Sequence, residues 1–185
     1  MGKGKLFVIS GASGVGKSTV LGKVMAGRAD LTFSVSATTR DPRVGERDGV
    51  HYYFITKEKF REMLAQEAFA EYSEHMDNFY GTPRAQLEEK LVNSHVVLDI
   101  EPNGAFQVRA VRPDATLIFI TPPSMEELEN RLRSRGDTTE EQIQLRLARA
   151  RWEIEQSVKY DHIVINGVVD TCAEEILNII AQVAD

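Results

Sequence analysis

The chain has 185 residues and a single cysteine, Cys172. One thiol closes no intramolecular disulfide and builds no cysteine-based metal cluster, so stability must come from a packed core. No run of about 18 apolar residues occurs, and nothing qualifies as a membrane span. The opening Met1-Gly2-Lys3-Gly4-Lys5 leads straight into an apolar strand with no secretory segment, which makes the cytosol the expected location. Basic charge is in deficit: 22 Lys and Arg face 28 Asp and Glu, for a net charge of −6. Duplex nucleic acid and anionic membranes both want a basic face, so neither is expected as the main partner. A small anionic ligand stays compatible, because local arginines matter more than the total. Internal repeats and low-complexity tracts are also absent.

What is present suits one compact α/β domain. Apolar residues make up 42% and charged residues 27%, an ordinary soluble balance with enough apolar mass for a core. Four apolar runs read as strands buried on both faces: Leu6 to Ile9, Val96 to Ile100, Thr116 to Ile120 and His162 to Ile165. They alternate with helical patterns, which predicts a parallel sheet flanked by helices. Helix starts are marked by Ser124 with Glu127, Thr138 with Glu141 and Thr171 with Glu174, each spaced as a capping box. Thr82-Pro83 fits an N-cap followed by proline at the first helical position. The last helix should bury Ile176, Leu177, Ile179, Ile180 and Val183.

The most informative stretch is Gly11-Ala12-Ser13-Gly14-Val15-Gly16-Lys17-Ser18, followed by Thr19. It fits G-x-x-x-x-G-K-[ST] and sits between a strand and a helix running from about Lys17 to Met25. Glycines let backbone N–H groups turn inward around a phosphate chain, and the helix N-terminus adds unpaired donors and partial positive charge. Lys17 can reach the β/γ-phosphates, and the Ser18 hydroxyl can join a Mg²⁺ shell. The segment from about Ser34 to Thr82 breaks the α/β rhythm with aromatic, arginine and turn residues. It reads as an insertion of short strands and one short helix with Phe60, Met63 and Leu64 on one face. A second special region, about Arg131 to Arg151, is rich in arginine around Gly136-Asp137.

A P-loop alone does not name a reaction. The run Ser34-Val35-Ser36-Ala37-Thr38-Thr39-Arg40-Asp41-Pro42-Arg43-Val44-Gly45-Glu46 resembles the guanylate kinase family's S-x-x-T-T-R-x-P-R-x-G-E segment. Asn78-Phe79-Tyr80-Gly81-Thr82, Leu98-Asp99-Ile100-Glu101 and Pro122-Pro123-Ser124 followed by Arg131-Leu132 and Arg135-Gly136 are similar too, in order from Leu6 to Ile180. The resemblance implies a P-loop NTPase fold whose single domain, 1–185, divides into a core (1–33, 83–124 and 161–185), a small GMP-binding α+β insertion (about 34–82) and an arginine-bearing lid (about 125–160). It implies transfer of the γ-phosphoryl group of ATP to GMP with Mg²⁺, giving ADP and GDP.

Carried over position by position, the family's roles are as follows. ATP falls to Gly11 through Thr19. The GMP phosphate falls to Arg40, Arg43, Tyr52 and Tyr80, with Glu46 and Gly81 among the GMP-binding positions. The guanine edge falls to Glu71 and Glu101, helped by the hydroxyls of Ser36 and Thr82. The chemistry agrees. Guanidinium forks match phosphate oxygens, phenols donate without adding charge, and a carboxylate accepts from guanine's ring N–H and amino group together. Asp99 resembles a metal-side aspartate, acting on Mg²⁺ directly or through water, or else orienting Lys17 or Ser18. Lys17, Arg135 and Arg146 would stabilise charge on the moving phosphoryl group. No general base is needed, since the GMP phosphate oxygen is already anionic, so His51, His75, His95 and His162 read as surface or structural residues. Arg133, Arg149 and Arg151 read as helix-surface charges pairing with nearby glutamates.

Two stretches depart from the family's commoner pattern. Met76-Asp77-Asn78 replaces a glycine-bearing turn, and Asp77 can still hold a positive φ there, since Asp tolerates it better than most residues. Glu101-Pro102-Asn103-Gly104 replaces D-x-Q-G, with a longer carboxylate. Two rivals share the fold. One is a catalytically silent scaffold domain, which would lack a working P-loop. The other is a kinase for a different small phosphate ester, which would change Glu71, Ser36 and Thr82. Nothing in the sequence specifies an oligomeric state.

Overall fold

The computed structural model describes residues 4–75, 77–134 and 139–184. The main sheet holds five parallel strands: β1 (Leu6–Gly11), β2 (Leu31–Phe33), β7 (His95–Asp99), β8 (Thr116–Thr121) and β9 (His162–Ile165). Their order is β2-β7-β1-β8-β9. β1 is central, with Ile9 beside Asp99 on one side and Gly11 beside Ile120 on the other. Leu6 through Ile9 and Leu117 through Ile120 are fully buried, as strands covered on both faces must be. β2 was not legible in advance, because three residues carry too little periodicity.

Helices α1 (Lys17–Gly27), α3 (Arg84–Leu91), α4 (Pro102–Val111), α5 (Met125–Ser134), α6 (Glu140–Gln156) and α7 (Val169–Ala184) accompany this sheet. Leu128 and Leu132 of α5 and Ile143, Leu147 and Ala150 of α6 belong to the same apolar cluster as the strands. α7 buries Ile176, Ile179 and Ile180 and half-buries Leu177 and Val183, the expected stripe. Among the described residues, no helix is long and apolar enough to cross a membrane.

Between β2 and α3 the chain builds a second sheet. It consists of β3 (Ala37–Thr38), β4 (Tyr53–Phe54), β5 (Phe69–His75) and β6 (Asn78–Pro83), in the order β4-β3-β6-β5. Helix α2 (Lys57–Ala65) covers it. Thr56 caps α2, its Oγ1 accepting the Lys59 N–H at 3.1 Å. Phe60 of α2 is fully buried and stacks on Phe69 and Phe79, with ring centroids 4.3 and 5.2 Å away. Met63 and Leu64 pack on the same side. This small cluster is separate from the main one, so the segment carries its own core. At the β5–β6 turn Asp77 does hold a positive φ, 60°.

Three helix starts differ from the sequence reading. α6 is capped by Thr139, which exchanges hydrogen bonds with Gln142 in a capping box. Thr138 lies outside the described residues. Thr171 sits inside α7, whose first turn is already closed by the Cys172 N–H donating to the Val168 carbonyl at 3.0 Å. Thr82 is a strand residue, and its hydroxyl is engaged across the sheet rather than at a helix end. Ser124 does cap α5, accepting the Glu127 N–H at 3.1 Å.

Candidate functional site

The glycine-rich loop joins β1 to α1 at the carboxyl edge of the main sheet, where open α/β sheets leave a crevice. Gly14 and Gly16 hold φ 86° and 91°, conformations that a side chain would strain. A Cβ on Gly14 would also come 2.7 Å from Leu132 Cδ2, so α5 packs directly on the loop. The loop lines a cavity of about 770 Å³ that includes every position from Gly11 to Thr19. Helix α6 forms the facing wall with Gln142, Leu145, Arg146, Arg149 and Glu153, and Glu101 closes one side. Arg146 is exposed on that wall. Arg135 lies outside the described residues.

Lys17 forms an ion pair with Asp99 at the end of β7. This is the contact that an orienting role for the aspartate would use. Two further residues fix the loop. Asn166, 2% exposed, donates from Nδ2 to the Val15 carbonyl at 2.7 Å. Glu153, 4% exposed, accepts the Ser13 N–H on Oε2 at 2.7 Å. Neither was nominated from sequence. They lie about 140 and 150 residues from the loop, and no local pattern announces them.

On the second sheet, Arg40 and Glu46 form a bidentate pair with both N···O distances at 2.8 Å. Glu46 Oε2 also accepts the Arg43 N–H at 2.7 Å. These two contacts hold the Glu46 carboxyl down at about 2, while Glu46 pushes the Arg40 guanidinium up. Arg40 lies over the Tyr52 ring, 5.3 Å from its centroid, and Tyr52 meets Tyr80 edge to face at 6.2 Å. Arg40, Tyr52 and Tyr80 are thus gathered in one place, with Glu46 as the arginine's anchor. The Arg43 side chain is exposed. Ser36 enters β3 beside them, its carbonyl accepting the Tyr53 N–H at 2.9 Å.

Glu71 on β5 is 5% exposed and faces Thr82 on β6, fully buried. The Thr82 hydroxyl donates to Glu71 Oε1 at 2.6 Å. Burial raises the Glu71 carboxyl above the usual carboxylate range. The Thr82 hydrogen bond opposes this, and the charge of Glu101 adds to it. Gly104 in α4 makes room for this carboxylate, because a Cβ there would stand 2.9 Å from Glu71 Oε2. Gly81 likewise has no space for a side chain between Phe69 and the Glu71 carbonyl. The role of Gly104 was invisible from sequence, since helix position alone does not reveal a strand behind it.

Glu101 sits at the entry to α4 and meets two partners. His75 Nε2 lies 3.0 Å from Oε1, and Arg149 donates to Oε2 at 2.6 Å. Arg149 also donates from Nε to Glu153 at 3.0 Å, the helix pairing expected of it, but it reaches beyond its own helix as well. His75 likewise touches the site. Arg133 remains a helix-surface charge between Glu129 and Glu140, as read.

Comparison with known proteins agrees along nearly the whole length. The family model described as guanylate kinase matches residues 3–183. A guanylate kinase of Prochlorococcus marinus subsp. pastoris is 45% identical over 177 residues, covering 95% of this chain and 96% of that protein. One from Clostridioides difficile is 47% identical over 181 residues, covering 97% and 88%. The crystal structure of guanylate kinase from Anaplasma phagocytophilum superposes with a TM-score of 0.76 at 34% identity, covering 98% of this chain and 87% of that one.

Proposed function

We propose that this chain, which belongs to the guanylate kinase family, transfers the γ-phosphoryl group of ATP to GMP and releases ADP and GDP. One observation carries the reading. Glu101, a carboxylate suited to the guanine edge, is also a wall of the P-loop cavity. Donor and acceptor grips therefore adjoin, as direct transfer requires.

In this reading the loop N–H groups of residues 11–19 cradle the triphosphate, and Lys17 trades Asp99 for phosphate oxygens when ATP enters. Arg146 on the facing wall, with Arg135, stabilises charge on the phosphoryl group in flight. The GMP phosphate is taken by Arg40, Arg43, Tyr52 and Tyr80, while Glu46 presets the Arg40 fork rather than touching substrate. Glu71 and Glu101 accept from the guanine N–H groups, with Thr82 and Ser36 as hydroxyl partners and Gly81 allowing close approach. The attacking GMP oxygen is already anionic, so no side chain removes a proton.

The residues present fit a magnesium ion. Asp99 pairs with the Lys17 ammonium beside the loop, and Ser18 stands at the start of α1. One carboxylate and one hydroxyl suit a hard cation that keeps several waters and takes its other oxygens from the triphosphate. When bound, Mg²⁺ would supply positive charge that offsets the charge of the triphosphate.

The segment 34–82, with its own apolar cluster, serves as the GMP-binding unit of a single domain. The region 125–160 acts as the lid, and the remainder is the core. Closure of the outer parts excludes water from the γ-phosphate. The substrates are small molecules, and the expected compartment is the cytoplasm.

The test is a coupled assay with ATP, Mg²⁺ and a panel of GMP, dGMP, AMP, UMP and dTMP. Turnover should be confined to guanine monophosphates, and Lys17→Ala should lower it with any acceptor. A folded protein that forms no GDP would point to a silent scaffold. Preference for another monophosphate would displace the guanine assignment.

A further inference from the structure

Three charged groups in a row span the cleft. Ser13 of the P-loop donates its N–H to Glu153 Oε2 at 2.7 Å, and Arg149 donates from Nε to Glu153 Oε1 at 3.0 Å. The same guanidinium donates from its other arm to Glu101 Oε2 at 2.6 Å. The row begins on the nucleotide loop and ends on the carboxylate that walls the second pocket. Glu153 is nearly fully buried, so its contacts act in low dielectric. Arg149 is exposed, lines the P-loop cavity, and also lines a neighbouring cavity of about 500 Å³ that includes His75, Glu101 and Trp152. Burial lowers the Arg149 pKa, but the two carboxylates outweigh that and leave it above its usual value.

The arrangement has a consequence for binding order. Glu101 already accepts one contact on each oxygen, from His75 on Oε1 and Arg149 on Oε2, so a guanine N–H approaching Oε2 must share it with Arg149 or displace it. Arg149 is also the residue that can leave, because it already faces the phosphate-binding cavity and needs only to exchange one anion for another. A guanidinium offers five N–H donors in a planar fork, so it can stay on Glu153 while its outer arm swings. Phosphate oxygens with several negative charges compete well for that arm.

We propose that Arg149 couples the two pockets. Without nucleotide it occupies Glu101 Oε2; when a triphosphate fills the P-loop cavity, it turns to the phosphates and releases Oε2 to the acceptor base. The inference rests on the function proposed above and adds to it a residue and a direction of coupling. Donor binding should tighten acceptor binding through Arg149, and by linkage the reverse should hold equally.

Calorimetric titration of the whole chain tests this, with GMP added in the absence and presence of a non-hydrolysable ATP analogue and Mg²⁺. Wild type should bind GMP about fivefold or more tightly when the analogue is present. In Arg149→Gln the competitor for Glu101 is gone, so GMP alone should bind as well as or better than in wild type, and the enhancement should fall below about twofold. Steady-state rates should show the matching split, with the KM for GMP unchanged or lower and kcat reduced. A residue that served only the fold would weaken GMP binding and lower the thermal midpoint together, so a melting curve accompanies each titration. Full enhancement in Arg149→Gln, weaker GMP binding without analogue, or no enhancement in wild type would each overturn the coupling. Wild type that neither binds nor phosphorylates GMP would instead remove the proposed function, and the coupling with it.

Discussion

The hydroxyl of Thr82 donates to Glu71 Oε1 across 2.6 Å, joining two strands of the second sheet behind a carboxylate that solvent barely reaches. The contact leaves Glu71 Oε2 for another donor and fixes the plane of the carboxylate. A buried acceptor held this way discriminates by what it leaves unpaired. In the function proposed above, guanine would bring N–H donors to it, whereas adenine would bring a ring acceptor and meet repulsion.

Glu71→Gln should lower kcat/KM for GMP by about 10²-fold through loss of a charge-assisted acceptor and the clash of two amino groups. The KM for ATP should stay near wild type. The variant also carries a pH signature. Burial raises the folded-state pKa of Glu71 above its reference of 4.5. The folded chain therefore holds this proton longer than the unfolded chain. Its contribution to stability is complete below about 4.5 and is lost as pH rises through the raised value. Chemical denaturation across pH should show Glu71→Gln lacking that decline and more stable than wild type at neutral pH. Equal stability of the two proteins at all pH values would contradict the assignment.

Glu46→Gln probes the other grip. The Glu46 carboxyl is held at about 2 by Arg40 first and the Arg43 N–H second, against a reference of 4.5. Its contribution to stability is present above 4.5 and is lost as pH falls toward about 2. The substitution should flatten the acid limb of the stability curve in that window. It should also raise the KM for GMP by about 2- to 10-fold, because the Arg40 fork loses its preset geometry. Steady-state kinetics at saturating ATP, with the KM for ATP as internal control, measure this.

Gly104→Ala separates site from scaffold. The new Cβ would stand 2.9 Å from Glu71 Oε2 and 3.3 Å from Ile100 Cδ1. Alanine favours the helix by about 1 kcal/mol over glycine, which offsets the local crowding. The thermal midpoint should therefore hold or rise, while the KM for GMP increases about tenfold as the carboxylate is pushed aside. A large fall in melting temperature with unchanged kinetics would place the role of Gly104 in packing alone.

Much of the fold was legible because its signals are local. Four of the five main strands are continuous apolar runs, and burial on both faces leaves them little alternative. α2 announced its inner face through Phe60, Met63 and Leu64, spaced as one helix side. The capping residues were less secure, because several Ser and Thr lie near each helix start and the register of the buried face chooses among them. Thr139 caps α6, and with that start Ile143, Leu147 and Ala150 all point inward. Thr82 fitted a cap by its neighbours, but the strand pairing with Glu71 claimed its hydroxyl.

The glycine-rich loop was legible from its own residues, because eight consecutive positions between a strand and a helix can dictate their own backbone shape and donor directions. The arginines, tyrosines and two carboxylates proposed for the site were legible in the same local way. How those groups are held emerges from the folded chain: Glu153 and Asn166 on the loop, Gly104 behind Glu71, and Arg149 between Glu101 and Glu153. These partners come from segments far apart along the chain. Their meeting depends on which strand lies beside which and on where each helix face falls, and no window of neighbouring residues encodes a distance across a cleft.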